Sequence, residues 1–191
     1  MPYRKFVFQA GDCYHLYNRG NNCQTIFYER ENYHFFLRQL CKYFQPEAVE
    51  LVAYCLMPNY YYLLVHLVTD DLSSLMQRFA LSYTKAINKR YGRVGSLFQG
   101  RFRAVCVDRD EYMVHLSRYI HLNPVTAKLV ERPEDWEFSS YRDYVGIRHG
   151  TLPAPDIVLS QFPSPDAYRD FVETYQPGDK EFISHLLLDD A

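Results

Sequence analysis

The spacing of apolar and polar residues along the chain predicts four strands and three helices. Apolar runs that alternate with polar residues, or that are rich in β-branched and aromatic residues, predict strands over residues 13–18, 49–57, 60–67 and 102–107. Apolar residues at helical spacing predict helices over residues 31–44, from 72 to about 91, and from 108 to about 123. This order of elements is typical of an α+β protein, a ferredoxin-like αβ sandwich with a central antiparallel sheet.

Three local signals predict where the helices begin and end. Asp71 can cap the second helix, because its carboxylate can accept a hydrogen bond from a free amide of the first turn. Asp108 followed by Glu111 resembles a capping box at the start of the third helix. Pro124 predicts that this helix ends at about Asn123, since proline has no amide hydrogen to continue it.

The amino-acid composition of the chain changes after residue 133, which predicts a division into two regions. Four prolines punctuate the stretch from Pro153 to Pro165, and acids become frequent. We therefore predict a domain over residues 1–150 and an acidic C-terminal extension over residues 151–191, with one or two short helices.

The composition excludes several classes of protein. Of the 191 residues, 48% are hydrophobic and 17% are aromatic, which favours a compact core over a disordered chain. No apolar run approaches the roughly 20 residues that span a bilayer, and residues 1–11 lack the apolar core of a signal peptide. We therefore expect a cytoplasmic protein without a membrane partner, and the five scattered cysteines predict neither a disulfide framework nor a zinc site.

The net charge of -2 conceals an uneven distribution of charge. Residues 72–107 contain seven Lys and Arg and no acid, whereas residues 131–191 contain 13 acids and 5 bases. A polyanion is expected to bind the middle of the chain and to avoid its end. The alternative is that the basic stretch is only a solvated helix face.

Two groups of side chains could carry chemistry. Tyr119 and Asn123 are four residues apart on a predicted helix and therefore share one face, where a nucleophile and a metal ligand could lie together. The alternative is a core tyrosine and a helix-capping asparagine. Tyr60 and Tyr62 share one face of a predicted strand, where they could stack on bases or simply pack beneath a helix.

Five segments, in order along the chain, resemble the single-tyrosine HUH transposases, especially the REP-associated tyrosine transposase branch. They are CYHLYNRGNN at residues 13–22, LMPN at 56–59, GSLFQGRF at 95–102, SRYIHLNPV at 117–125 and WEFSSY at 136–141. The resemblance implies a ferredoxin-like HUH domain within residues 1–150 that binds single-stranded or hairpin DNA. A homodimer is a candidate assembly.

The resemblance also implies a mechanism and a set of site residues. A divalent metal, Mg or Mn, polarises the scissile phosphate, and a tyrosine attacks to form a 5' phosphotyrosine link. By position that tyrosine is Tyr119, and Asn123 stands where the family supplies a metal ligand. The residues expected to contact DNA are basic or amide side chains: Arg19, Arg78, Lys85, Lys89, Arg90, Arg93, Gln99, Arg101 and Arg103.

The chain departs from the family pattern at the metal motif. Where the family has His, a hydrophobic residue and His, this chain has Tyr60, Tyr61 and Tyr62. A phenol must lose a proton to bind a metal strongly, at a cost of about 4 kcal/mol per ligand at pH 7. His66 lies on the same strand face, roughly 13 Å beyond position 62 at about 3.3 Å per residue, and is too distant to substitute.

Three hypotheses for the function remain open on the sequence. The protein binds its DNA hairpin but does not cleave it and needs no metal, or it is an active tyrosine transposase with an altered metal site. The third hypothesis is a non-catalytic binding module that uses the sheet surface for an unrelated nucleic acid or protein. The first two hypotheses differ in whether DNA cleavage is observed. The third differs from both in whether single-stranded DNA binds at all.

Overall fold

A computed structural model describes residues 7–187 of the protein. The four strands are Cys13–Arg19 (β1), Val49–Met57 (β2), Tyr60–Leu67 (β3) and Arg103–Val107 (β4). They form one antiparallel sheet in the order β2-β3-β1-β4. In this register Tyr17 of β1 lies opposite Tyr62 of β3 and Arg103 of β4. The predicted α+β, ferredoxin-like fold with a central antiparallel sheet is confirmed.

Helices follow the strands in the predicted order and continue into the extension. The α-helices are Arg30–Tyr43 (α1), Leu72–Tyr91 (α2), Asp110–Thr126 (α3), Tyr141–Tyr144 (α4), Asp156–Leu159 (α5), Pro165–Glu173 (α6) and Pro177–Phe182 (α7). Among residues 7–187, short 3-10 helices lie at Asn21–Cys23, Pro133–Asp135 and Ser184–Leu186. The described part of the extension thus has α5, α6, α7 and a 3-10 helix, more than the one or two short helices that the sequence predicts.

The sheet separates two hydrophobic cores, because side chains of a strand alternate between its two faces. On one face Tyr61 is buried with Phe36 of α1 and Phe79 of α2. On the other face Tyr62 is buried with Ile120 of α3 and with residues of the extension. The sheet is therefore covered on both faces, and Tyr60 and Tyr62 face α3.

Both predicted capping interactions are wrong. Asp71 precedes α2, but its φ of -87° and ψ of 18° lie outside the extended region that a capping residue usually adopts, and its side chain makes no cap hydrogen bond. Helix α3 begins at Asp110, after Arg109, so Asp108 and Glu111 do not form a capping box. Asp110 and Glu111 instead occupy the first turn, where negative charge is favoured by the helix dipole.

Helix α3 passes through Pro124 and ends at Thr126, although the sequence predicts an end at Asn123. Proline has no amide hydrogen, so the hydrogen bond to the carbonyl four residues earlier is lost at Pro124, but the helix continues past it. The last turn closes because the amide of Ala127 donates to the carbonyl of Asn123 at 2.9 Å. Asn123 is therefore inside the helix and not its terminal residue.

The extension packs against the sheet edge and α3. The amide of Ala154 donates to the carbonyl of Leu51 at 2.8 Å, and Tyr168, Val172 and Leu186 are buried in the core that faces α3. Residues 151–187 thus share a core with the predicted domain. Residues 1–6 and 188–191, the ends of the two predicted regions, lie outside the described residues.

Candidate functional site

Tyr119 and Asn123 face the beginning of strand β3 across a cleft. The hydroxyl of Tyr60 donates to Oδ1 of Asn123 at 2.9 Å, and the rings of Tyr62 and Tyr119 lie 5.8 Å apart. The structure therefore brings together all four residues that the family pattern selects. We call this space the tyrosine cleft; its volume is about 200 Å³, and it is lined by Tyr60, Tyr119, Leu122, Asn123, Thr126, Ala127, Tyr175 and Lys180.

Tyr62 forms the floor beneath the tyrosine cleft and is not a surface for stacking bases. Its side chain is 2% exposed, and its ring lies 5.2 Å from those of Tyr17 and Tyr60. A base could reach this ring only if α3 left the sheet. Of the two interpretations of the tyrosine-rich strand, packing beneath a helix is correct for Tyr62.

The described donors in the tyrosine cleft do not fit a divalent metal ion. The amide oxygen of Asn123 already accepts the Tyr60 hydroxyl proton, and tyrosine phenols ordinarily titrate near pH 10. Divalent ions in proteins are bound by carboxylate and carbonyl oxygens and by neutral imidazole, and a protonated phenol is none of these. Within residues 7–187 no group of three or more His, Cys, Asp or Glu side chains is placed to hold a metal.

His66 is engaged elsewhere on strand β3. Its Nδ1 lies 2.7 Å from Oε2 of Glu50 on the neighbouring strand. This position agrees with the expectation, drawn from strand geometry, that His66 does not replace a ligand at position 60 or 62.

The extension contributes two residues to the tyrosine cleft that sequence reasoning did not predict. Tyr175 precedes α7, and Lys180 lies within it. Burial, supported by the nearby Asp179 carboxylate, raises the pKa of the Tyr175 phenol, so this phenol is neutral at pH 7. Neither residue belongs to a motif, and Lys180 is the only lysine after Lys128, inside a strongly acidic region. Only the tertiary contact reveals them.

An ion pair fixes α7 to α3 beside the tyrosine cleft. Nη2 of Arg118 lies 2.9 Å from Oδ1 of Asp179, and the Arg118 side chain is 4% exposed. The Arg118 guanidinium also lies 4.0 Å from the centre of the Phe171 ring. Burial alone would raise the pKa of Asp179, but the amide of Gln176 and the Arg118 guanidinium outweigh it and lower that pKa. Asp179 is therefore ionised at neutral pH.

Part of the predicted DNA-contacting set lies on the same sheet face as the tyrosine cleft. Arg19 is opposite Tyr60, and Arg103 is opposite Tyr17, so both arginines project to the α3 face. Nε of Arg19 donates to Oε1 of Gln99 at 2.5 Å. We call Arg19, Gln99 and Arg103 the sheet-side group; Arg101 is exposed in the loop that leads into β4.

The loop that carries Gln99 is held against the end of β1. The amide of Gln99 donates to the carbonyl of Arg19 at 2.9 Å, and the amide of Asn21 donates to Leu97 at the same distance. Gly20 permits the tight turn that follows β1, because a Cβ atom there would lie 1.9 Å from the carbonyl oxygen of Gln24. A side chain at position 20 would therefore displace this turn, which directly follows Arg19.

The remaining predicted DNA contacts lie on or just after α2, on the opposite face of the sheet. This second group is Arg78, Lys85, Lys89, Arg90 and Arg93. Two of its members already have partners: Nη2 of Arg90 lies 2.5 Å from Oε1 of Glu29, and Nη2 of Arg93 donates to Oε1 of Gln24 at 2.8 Å. The acid-free stretch of sequence is thus divided between two surfaces, because α2 and β4 lie on different sides of the core.

The ferredoxin-like sheet, with Tyr119 of α3 over the start of β3, has the arrangement that the resemblance to HUH transposases implies. The chain matches the model of the family described as "Transposase IS200 like" over residues 11–123. It therefore belongs to the IS200-like transposase family.

Known relatives agree with this assignment. A REP-associated tyrosine transposase of Haemophilus influenzae is 27% identical over 115 residues, which cover 54% of this chain and 64% of that protein. The chain thus spans a little under two thirds of that relative.

Among residues 7–187, no helix is long and apolar enough to cross a membrane.

A solved structure supports the fold. A REP-associated tyrosine transposase bound to a REP hairpin has a TM-score of 0.63 and 20% identity, and the match covers 76% of this chain and 86% of that one. A transposase structure from Deinococcus radiodurans R1, with a TM-score of 0.37 and 21% identity over 63% of this chain and 95% of that one, is too dissimilar to add to the argument.

Proposed function

We propose that this protein binds hairpin or single-stranded DNA with one strand directed into the tyrosine cleft. Membership of the transposase family supports this function, as does the REP hairpin bound by the similar solved structure. Arg19 and Arg103 lie on the face that carries Tyr60 and could neutralise phosphates of such a strand.

We further propose that metal-dependent strand cleavage by Tyr119 is impaired. The observation that carries this proposal is the hydrogen bond from the Tyr60 hydroxyl to Oδ1 of Asn123. In place of an imidazole lone pair, the cleft presents a protonated phenol, and this phenol uses one of the two lone pairs of the Asn123 amide oxygen. Tyr119 keeps its place, but the groups around it bind a divalent ion poorly.

DNA binding is tested by fluorescence anisotropy with labelled DNA hairpins that carry a randomised single-stranded flank, across a salt series. For the Arg19→Ala, Arg103→Ala double variant we expect weaker binding. The slope of log K against log salt concentration, which we call the salt slope, should fall in magnitude by about 1.4, or about 0.7 for each lost contact to a single strand. An Arg78→Ala, Lys85→Ala variant tests the α2 surface in the same way. We expect it to lose less affinity and less salt slope than the Arg19→Ala, Arg103→Ala variant.

Lys42→Ala on α1 is the matched control for loss of a surface charge, since Lys42 belongs to neither group. If the wild type binds none of these oligonucleotides, the proposed function is wrong. If the wild type and the Arg19→Ala, Arg103→Ala variant have equal affinity and equal salt dependence of binding, the sheet-side group does not contact the DNA.

A further inference from the structure

The tyrosine cleft contains a cation that the family pattern does not account for. Among its described lining residues, Lys180 is the only charged side chain; the others are phenols, an amide, a hydroxyl and aliphatic groups. A cleft of about 200 Å³ has room for about six waters at ~30 Å³ each. It can therefore admit a phosphate group with part of its hydration shell.

The position of Lys180 beside Tyr119 follows from the ion pair between their neighbours in sequence. Arg118 precedes Tyr119 on α3, and Asp179 precedes Lys180 on α7. Because Arg118 and Asp179 are joined at 2.9 Å and Arg118 is buried, the two adjacent residues are brought to the same cleft. The backbone amide of Gln176 also donates to Oδ2 of Asp179 at 2.7 Å, which fixes the first turn of α7.

The electrostatics of the tyrosine cleft favour an anion. The raised pKa of Tyr175 keeps that phenol uncharged, and the Asp179 carboxylate is paired with Arg118. No described carboxylate lines the cleft beside Lys180. An ammonium group among neutral hydrogen-bonding side chains is suited to a phosphate oxygen.

We infer that Lys180 is a phosphate-binding residue of the tyrosine cleft, supplied by the C-terminal extension, and that it contacts the DNA strand beside Tyr119. This inference rests on the proposed DNA-binding function and adds a residue to it. It gives the extension a direct part in binding, although the extension as a whole is acidic.

The experiment measures anisotropy with two labelled probes, a DNA hairpin with a single-stranded flank and the same hairpin without the flank. Lys180→Ala should weaken binding of the flanked hairpin about tenfold at low salt and lower its salt slope by about 0.7. It should bind the hairpin without the flank as the wild type does. Lys180→Arg should keep the wild-type slope, because the charge is retained.

Lys42→Ala serves as the control for removal of an exposed lysine far from the cleft. Lys180 is itself exposed, and a thermal melt confirms that each variant is folded. If the wild type binds the flanked hairpin and Lys180→Ala matches it in affinity and slope, the inference is wrong while the proposed function stands. A loss in Lys180→Arg as large as in Lys180→Ala would also overturn it. If the wild type binds neither probe, the proposed function itself fails.

Discussion

At position 60, a phenol in place of an imidazole changes which groups in the tyrosine cleft can bind a ligand. The Tyr60 hydroxyl is a donor, and it uses Oδ1 of Asn123 as its acceptor at 2.9 Å. A neutral imidazole has one nitrogen lone pair that it can offer to a metal without losing a proton. The same backbone position therefore supports either a hydrogen bond within the protein or a metal ligand.

His121 shows that a histidine inside the transposase motif can be purely structural. It lies on α3 between Tyr119 and Asn123 but faces away from the cleft, where it is fully buried. Its Nδ1 is 2.7 Å from the Tyr168 hydroxyl, and its Nε2 is 2.8 Å from Oγ of Ser140. This imidazole joins α3 to the extension and to the segment beside β2.

The buried histidines predict a loss of stability in mild acid. Burial, with a smaller effect from Arg148, lowers the pKa of His121 to about 3, and burial lowers that of His15 to about 4. Each pKa is lower in the folded state than in the unfolded state. The contribution of the two histidines to the free energy of unfolding is therefore complete above pH 6.5 and decreases below it. Between pH 6.5 and pH 5 the free energy of unfolding should fall by about 2 kcal/mol for each histidine.

Urea unfolding at both pH values measures this change. The variant His121→Gln removes one titrating group, so its free energy of unfolding should fall by about 2 kcal/mol less than that of the wild type over the same interval. An identical pH dependence in wild type and variant would show that His121 is not held neutral by burial.

At the scale of elements, α3 connects the sheet, the tyrosine cleft and the extension. One face of the helix supplies Tyr119 and Asn123 to the cleft, while Arg118 and His121 bind α7 and α6. Because the same helix carries both sets of contacts, the packing of the extension and the position of Tyr119 are coupled.

The Arg118–Asp179 pair is predicted to contribute substantially to stability. Arg118→Met leaves Asp179 without its guanidinium partner and should lower the free energy of unfolding by about 2 kcal/mol, less than for a fully buried pair because Asp179 is partly exposed. Circular dichroism with urea measures the change. Arg30→Met, which breaks the exposed pair with Glu137, is the matched control and should change stability little; an equal effect of the two substitutions would contradict the account.

Sequence patterns predict the elements well where a local signal is strong. The turn at Pro58-Asn59 separates β2 from β3 at the predicted residues, and α2 has its predicted bounds, since Gly92 follows it with a φ of 59°. The predictions fail for the Asp71 cap of α2, for the start of α3 and at Pro124. All three failures concern helix ends, where tertiary packing outweighs capping chemistry.

For the molecule as a whole, the sequence predicts part of the site and misses the rest for a physical reason. Tyr60, Tyr119 and Asn123 can be selected because the segments that contain them resemble family motifs, whereas their spacing alone leaves a core tyrosine and a capping asparagine open. Tyr175 and Lys180 reach the cleft only because the extension folds back onto α3. Counting charge along the chain also cannot show that α2 and the sheet-side group occupy opposite faces.

The arrangement of charge over the molecule is consistent with a strand entering from the β1 and β4 side. Arg19 and Arg103 lie on that side, and Lys180 reaches the cleft from the extension. Cations from distant parts of the sequence thus lie in the tyrosine cleft and on the sheet face beside it, while the extension as a whole is acidic. A polyanion is therefore favoured beside the tyrosine cleft and disfavoured along the acidic extension.

The most direct test of the account is formation of a covalent adduct between the protein and labelled hairpin DNA in the presence of Mn. Three proteins are compared on a denaturing gel: the wild type, the Tyr60→His, Tyr62→His variant, and the same variant with Tyr119→Phe. Because Tyr62 is buried, a thermal melt first confirms that the variants fold. The account predicts no adduct in the wild type, an adduct in the double variant because two imidazoles and Asn123 complete a metal site, and none once Tyr119 is replaced. A Mn-dependent adduct in the wild type would contradict the account.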